Sequence, residues 1–140
     1  NILSKLIKKG LADSVFTTIN NKFKVRTEYW IMINSPNTYN ITHTHPNSHL
    51  SGVFWIKALD KCGKLKFHNP NTFERYVELN SYVDLFRKDT NTHEAYIYEP
   101  KEGMLISFPS HVAHRVLENK SNEDRIAVSY NITLIGNIDD

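Results

Sequence analysis

Cysteine and net charge are scarce in this sequence, and long apolar runs are absent from it. The one cysteine, Cys62, cannot form an internal disulfide, so we expect a reducing, cytoplasmic compartment. No apolar run reaches the roughly 20 residues that a membrane-spanning helix needs, so we expect no membrane partner. The net charge is only +2 and no basic run is visible, which gives no electrostatic support to nucleic-acid binding.

The composition is that of one globular domain. Hydrophobic residues make up 40% and aromatic residues 11% of the 140 positions, which fits a folded domain with a sizeable core. Apolar side chains recur at helical spacing over residues 2–19 and predict an amphipathic helical flank over about 1–24. From about 26 to 134 the pattern changes to short strands separated by turns.

Aromatic and β-branched runs, each bounded by turn residues, predict the individual strands. The predicted strands cover residues 28–33, 51–56, 65–67, 95–98, 104–108, 111–117 and 125–134. Residues 39–49 are predicted to form a polar loop, and residues 71–92 a lid or a plain loop. The number and spacing of the strands are typical of an all-β sandwich or barrel.

Three of the seven histidines, His43, His45 and His49, fall within the polar loop. Residues i and i+2 of an extended chain share a face, so His43 and His45 can direct two imidazoles at one point. Neutral imidazole is the commonest protein ligand for a transition metal. The pattern by itself is typical either of a metal site or of a solvated polar turn.

The last predicted strand has one apolar and one polar face. The polar face carries Arg125, Ala127, Ser129, Asn131 and Thr133. In a small barrel such a face can line a ligand cavity, where an arginine can hold a carboxylate through two hydrogen bonds. The alternative is a face exposed to solvent on an outer sheet, and periodicity alone favours that alternative.

An early His-x-His, a late single histidine at His114 and an arginine on the next strand follow one another along the chain. In this order they resemble the iron(II)- and 2-oxoglutarate-dependent oxygenases, whose core is a double-stranded β-helix, a jelly-roll or cupin-like fold. A closer resemblance, over about 26–134, is to the 2-oxoglutarate/Fe(II) oxygenase group of marine bacteria and phages. It is carried by local patterns such as HTHPNS at 43–48, LSGVFW at 50–55 and FPS at 108–110.

The resemblance implies Fe(II) as cofactor and 2-oxoglutarate as cosubstrate. It implies a hydroxylase that couples the decarboxylation of 2-oxoglutarate to the oxidation of a C–H bond in a small-molecule or peptidyl substrate. His43 and His114 match the first and the distal metal ligand. Arg125 matches the cation that binds the distal carboxylate of 2-oxoglutarate. The implied compartment is the cytoplasm of a bacterium or of a phage-infected host.

The chain departs from the family pattern at two positions. His45 stands where the family places an aspartate, and a three-histidine site leaves iron one unit more positive than a site with a carboxylate. Ala127 stands where many relatives have a serine, and Ser129 lies on the same face one step further along. The predicted site residues are His43, His45 and His114 for the metal, Arg125, Tyr39, Ser129 and Asn131 for 2-oxoglutarate, and Asn40, His49 and Trp55 around them.

Other functions stay open at this point. His43, His45 and His49 resemble the first cupin motif without its glutamate, which allows a cupin-like three-histidine metal protein or a dioxygenase that does not use 2-oxoglutarate. A domain that binds a ligand without catalysis would retain no metal. Arg125 discriminates between a 2-oxoglutarate enzyme and a three-histidine cupin, because the enzyme needs a cation at that position and the cupin does not.

Overall fold

The computed structural model describes Lys5 and residues 23–70 and 95–136. Eight strands lie in these residues. They are β1 (Phe23–Asn34), β2 (Asn40–His43), β3 (Leu50–Lys57), β4 (Leu65–His68), β5 (Ala95–Tyr98), β6 (Leu105–Pro109), β7 (His114–Val116) and β8 (Arg125–Gly136). In this part of the chain no helix is long and apolar enough to cross a membrane.

The strands form two four-stranded sheets. The large sheet has the order β1-β8-β3-β6 and the small sheet the order β2-β7-β4-β5. All six strand pairings are antiparallel. Eight antiparallel strands in this order form a jelly roll, so the mainly-β fold predicted from the sequence is confirmed.

The structure corrects several predicted boundaries, and the strand predicted over 111–117 is reduced to β7 (His114–Val116). The stretch predicted as a polar loop contains β2, which pairs with β7 and has no apolar alternation by which it could have been recognised. Strand β1 begins at Phe23, because Phe23 and Lys24 continue the ladder with β8 opposite Gly136 and Ile135. Residues 1–4 and 6–22 of the predicted helical flank, and the whole of the lid or loop predicted over 71–92, lie outside the described residues.

Two apolar clusters lie on opposite faces of the large sheet. Tyr130 and Ile132 of β8 belong to one cluster, with Leu50 of β3. Ala127 belongs to the other, which lies against the small sheet through Phe67 of β4. Alternate residues of a strand point to opposite faces, so β8 contributes to both clusters. The second cluster forms one wall of the space in which the histidines meet.

Candidate metal centre

Three histidine side chains meet beside the cavity between the two sheets. His43 ends β2 and His114 begins β7, and the two residues are directly opposite each other in the antiparallel ladder. His45 lies two residues beyond β2. Each imidazole offers one ring nitrogen, and these nitrogens lie within 4.8 Å of one another. The donor set and its spacing fit a single transition-metal ion.

Backbone carbonyl groups fix the tautomer of two of these imidazoles. Nδ1 of His43 lies 2.8 Å from the carbonyl oxygen of Ile41. Nδ1 of His114 lies 2.9 Å from the carbonyl oxygen of Val112. A carbonyl oxygen can only accept, so both Nδ1 atoms carry a proton, and in the neutral form of each ring Nε2 keeps a free lone pair. This is the arrangement that orients a metal-ligating histidine.

The surroundings of His114 and His45 lower the pKa of both imidazoles. Burial lowers the pKa of His114 to about 4, and His43 and His45 lower it as well, against the hydrogen bond to Val112, which raises it. Burial, and then His43, lower the pKa of His45. Because a histidine must be uncharged to bind a metal, the lowered pKa values favour the charge state that metal binding requires in these two residues at neutral pH.

Aromatic rings contact two of the histidines, His114 and His45. The ring of Phe108 packs edge-on against His114 with centroids 4.7 Å apart, and that of Phe67 lies 5.8 Å away. Trp30 of β1 lies 6.0 Å from His45. Apolar walls of this kind exclude water and strengthen the electrostatic interactions of a bound ligand.

Arg125 reaches the same cavity from the large sheet, and its side chain is only 3% exposed. Its Nη1 donates to the carbonyl oxygens of Cys62 at 3.1 Å and Gly63 at 3.0 Å. Its Nη2 donates to Oδ1 of Asn34 at 2.6 Å. Burial lowers the pKa of Arg125 below that of a free guanidinium, but arginine stays charged in proteins.

Periodicity alone favoured a solvent-exposed polar face for β8, and that prediction is wrong. Arg125 and Ala127 are both buried, because the small sheet covers this face. Within the described residues no salt bridge joins Arg125 to a carboxylate. The three hydrogen bonds use three of the donors of the guanidinium, which carries five. A ligand carboxylate can therefore neutralise the charge of Arg125 and accept hydrogen bonds from its remaining donors.

Asn34 is a site residue that the sequence analysis missed. It is paired with Arg125 in the β1–β8 ladder and is 7% exposed. Its Oδ1 accepts from Arg125, while its Nδ2 donates to Oδ1 of Asn40 at 2.9 Å. A polar residue at the end of an apolar strand is typical of a turn, so only the ladder register with β8 identifies its role.

The cavity encloses about 80 Å³ that the centre of a water-sized molecule can occupy. Among the predicted site residues, those that line it are His43, His45, His114, Arg125, Ser129, Asn40 and Trp55. Tyr39 is 58% exposed and is not part of the lining. His49 is exposed and accepts a hydrogen bond at Nδ1 from the backbone N–H of Leu134. Asn131 lies beside His45 instead of lining the cavity.

Comparison with known proteins identifies a family. The model of the family described as "Putative 2OG-Fe(II) oxygenase" matches residues 28–131. The match confirms the resemblance seen in the sequence, and the description names Fe(II) and 2-oxoglutarate, the predicted cofactor and cosubstrate. No curated protein matches the sequence.

Several solved structures share the fold. One is an oxidoreductase of the 2OG-Fe(II) oxygenase family from Burkholderia pseudomallei, at 14% identity and a TM-score of 0.60, covering 93% of this chain and 57% of that one. A prolyl-4-hydroxylase from Pseudomonas putida has the same identity and TM-score, with 93% and 61% covered. An N-substituted L-amino acid dioxygenase from Burkholderia ambifaria, in complex with alpha-KG, has 12% identity and a TM-score of 0.50, with 95% and 67% covered.

The chain thus spans about three fifths of the length of the first two structures, of which it covers 57% and 61%. At these identities the similarity is one of fold.

Proposed function

Because the chain belongs to the family of 2OG-Fe(II) oxygenases, we propose that it couples the decarboxylation of 2-oxoglutarate to the oxidation of a substrate C–H bond. One observation carries the proposal. A group of three histidines and a buried arginine face one cavity from opposite sheets. The three histidines suit a transition metal, and the arginine suits the carboxylate of a cosubstrate.

His43, His45 and His114 would hold Fe(II) in this proposal. Iron supplies, when bound, the redox chemistry that oxygen activation needs and that side chains cannot provide. The protein's part is to orient neutral imidazoles, which the carbonyls of Ile41 and Val112 do for His43 and His114. Three neutral ligands leave the ion's charge unreduced, which favours an anionic cosubstrate.

Arg125 would bind the distal carboxylate of 2-oxoglutarate. Its contacts with Cys62, Gly63 and Asn34 hold the guanidinium in one orientation before the ligand arrives, so little side-chain entropy is lost on binding. Ser129, two residues before Asn131 on the same face of β8, lines the cavity and adds a hydroxyl donor. Trp55 and Phe108 would keep water from the reacting atoms.

The substrate would be a small molecule or a peptidyl side chain, which is what the resemblance in the sequence implies. A prolyl-4-hydroxylase and an N-substituted amino acid dioxygenase are among the proteins that share the fold. Both names denote substrates with a substituted nitrogen, but likeness of fold does not transfer a substrate. The proposal therefore stops at the oxidation of a C–H bond.

A second candidate function follows from His45. With a third imidazole in place of the family's carboxylate, the site also suits a metal-dependent dioxygenase that does not use 2-oxoglutarate, or a cupin-like metal protein. The two candidates differ in what Arg125 does. In the first it binds a cosubstrate carboxylate, and in the second it only supports the packing between the sheets.

Anaerobic reconstitution with Fe(II), followed by titration with 2-oxoglutarate, tests the proposal. We expect a visible charge-transfer band that rises with 2-oxoglutarate, and succinate formation once oxygen is admitted. Arg125→Gln should raise the dissociation constant for 2-oxoglutarate at least about tenfold, because the carboxylate loses a charged hydrogen-bonding partner. Arg26→Gln is the matched control, since Arg26 is an exposed arginine that pairs only with Glu28 among the described residues.

The outcomes separate the candidates. A band in the wild type and in Arg26→Gln that is weakened in Arg125→Gln supports 2-oxoglutarate binding at Arg125. Iron binding without a band favours the second candidate. Absence of metal binding, with His45→Ala behaving like the wild type, would remove the enzyme proposal altogether.

A further inference from the structure

A hydrogen-bonded chain leads from two buried serines through Asn131 to His45. Oγ of Ser51 lies 2.8 Å from Oγ of Ser110 and donates to Oδ1 of Asn131 at 2.7 Å. Nδ2 of Asn131 lies 3.5 Å from Nδ1 of His45. Ser51 and Ser110 are 1% and 0% exposed, so bulk solvent does not reach these hydroxyls. The sequence analysis predicted Asn131 as a 2-oxoglutarate contact, whereas this geometry points to another role.

The backbone fixes the position of each member of the chain. Ser51 and Asn131 are directly opposite each other in the ladder of β3 and β8. The backbone N–H of His45 donates to the carbonyl oxygen of Ser110 at 2.9 Å. The His45 ring is therefore held against Asn131 through the same segment that contributes Ser110.

As oriented here, the chain would disfavour metal binding through Nε2 of His45. An amide Nδ2 can only donate, so Nδ1 of His45 would be the acceptor and Nε2 would carry the proton in the neutral ring. His43 and His114 differ, because their carbonyl partners can only accept. A carbonyl cannot exchange its role, but a side-chain amide can.

Rotating the Asn131 amide by half a turn reverses every donor in the chain. Oδ1 of Asn131 would accept from Nδ1–H of His45, Nδ2 would donate to Ser51, and Ser51 would donate to Ser110. No side chain has to leave its place, because the amide oxygen and nitrogen have nearly the same shape. The lone pair of Nε2 is then free for a metal.

We infer that Asn131 is a positioning residue whose amide orientation selects the tautomer of His45 and so admits it as the third metal ligand. The inference rests on the proposed metal site. It assigns Asn131 to the metal and not to 2-oxoglutarate, and it explains why two buried serines stand behind it. The site would thus hold two imidazoles in the ligand tautomer permanently and one conditionally.

Zn(II) is the probe for the test, because it is diamagnetic and binds imidazole. Its affinity, measured by competition with a chelator, should fall about 10- to 100-fold in Asn131→Leu, the usual effect of losing a partner that orients a metal-ligating histidine. Asn131→Asp keeps an acceptor for Nδ1–H and should stay within a few-fold of the wild type. Thr133→Val is the control, because Thr133 lies on the same strand and its hydroxyl donates to the carbonyl oxygen of Asn47, away from His45 and Asn131.

Ring ¹⁵N spectra of the wild type give a readout independent of any variant. We expect a proton on Nδ1 of His45 in the zinc complex and the metal on Nε2. Wild-type zinc affinity in a folded Asn131→Leu, or a proton on Nε2 of His45 in the complex, would overturn the inference and leave the proposed function standing. A wild-type protein that binds no zinc and no iron would overturn both.

Discussion

Cys62 contributes to the site through its backbone, while its thiol is buried. Its carbonyl oxygen accepts from Arg125, and the side chain is 1% exposed. Burial raises the pKa of the Cys62 thiol, and the nearby Arg125 only partly offsets this. The thiolate is the reactive form of cysteine, so both access and ionisation are suppressed.

We therefore expect Cys62 in the native protein to react with iodoacetamide at pH 8 at least about tenfold more slowly than in the unfolded chain. The raised pKa also means that the folded state holds the thiol proton more tightly, so this residue's contribution to stability falls as pH rises above the ordinary thiol range. Mass spectrometry of timed alkylation checks the first expectation. Equal labelling rates in buffer and in urea would contradict it.

Two glycines with left-handed backbone offer a matched pair. Gly63 has a φ of +94°, and an added Cβ would lie 2.1 Å from the carbonyl oxygen of Leu117 and 3.1 Å from Nη1 of Arg125. Gly103 has a φ of +77° and no neighbour within 4 Å of an added Cβ. Substitution by alanine thus has a conformational cost at both positions, whereas it has a steric cost only at Gly63.

Gly103→Ala should lower the free energy of unfolding by about 1 kcal/mol, the cost of the left-handed conformation alone. Gly63→Ala should lower it by about 3 kcal/mol or more, because backbone must move. Since the displaced segment holds Arg125, 2-oxoglutarate affinity should fall in Gly63→Ala only. Urea denaturation and the iron titration measure the two effects, and equal losses in both variants would refute the steric argument.

At the scale of elements, the sequence predicts strands well where apolar and polar residues alternate. Strand β8 shows what alternation can and cannot reveal. It assigns Arg125, Ala127 and Ser129 to one face, but whether that face meets solvent depends on the small sheet, which is distant in sequence. Strand β2 is the opposite case, because its four residues carry no apolar pattern and pairing with β7 alone makes them a strand.

Exposure also separates two isoleucines of the large sheet. Ile31 of β1 and Ile132 of β8 lie on the same face of the ladder, but Ile31 is 66% exposed and Ile132 is 1% exposed. We expect Ile132→Ala to lower the free energy of unfolding by about 2–5 kcal/mol through lost burial and a cavity. Ile31→Ala should cost less than about 1 kcal/mol, a difference in strand propensity. Similar costs in urea denaturation would mean that the face around Ile31 is covered in solution.

At the scale of the whole molecule, the site exists only because two sheets meet. Its imidazoles come from the small sheet and the turn after β2, and its guanidinium comes from the large sheet. Spacing in the sequence suggested a His-x-His pair, and family resemblance added His114 and Arg125. Asn34 and Asn131 could not be given their roles that way, because both depend on which residues the ladders place opposite each other.

Because the imidazoles and Arg125 come from different parts of the fold, we expect the metal and 2-oxoglutarate to stabilise the folded protein in two separate steps. A ligand that binds only the folded state stabilises it by about 2.7 kcal/mol at a concentration of one hundred times its dissociation constant. For a domain of this size, each kcal/mol raises the melting temperature by about 3 °C. We therefore expect Co(II) to raise it by roughly 8 °C at that ratio, and 2-oxoglutarate to add a further rise only when the metal is present.

Variants assign each step to its sheet. His114→Ala should lose both increments, because without the metal the cosubstrate keeps only its contact with Arg125. Arg125→Gln should keep the metal increment and lose most of the second. His68→Ala, a change at a histidine that contacts Thr42 at 3.5 Å, should keep both. If the second increment persisted in Arg125→Gln, 2-oxoglutarate would not be bridging the two sheets through Arg125. The role of the Arg125 guanidinium would then be structural only.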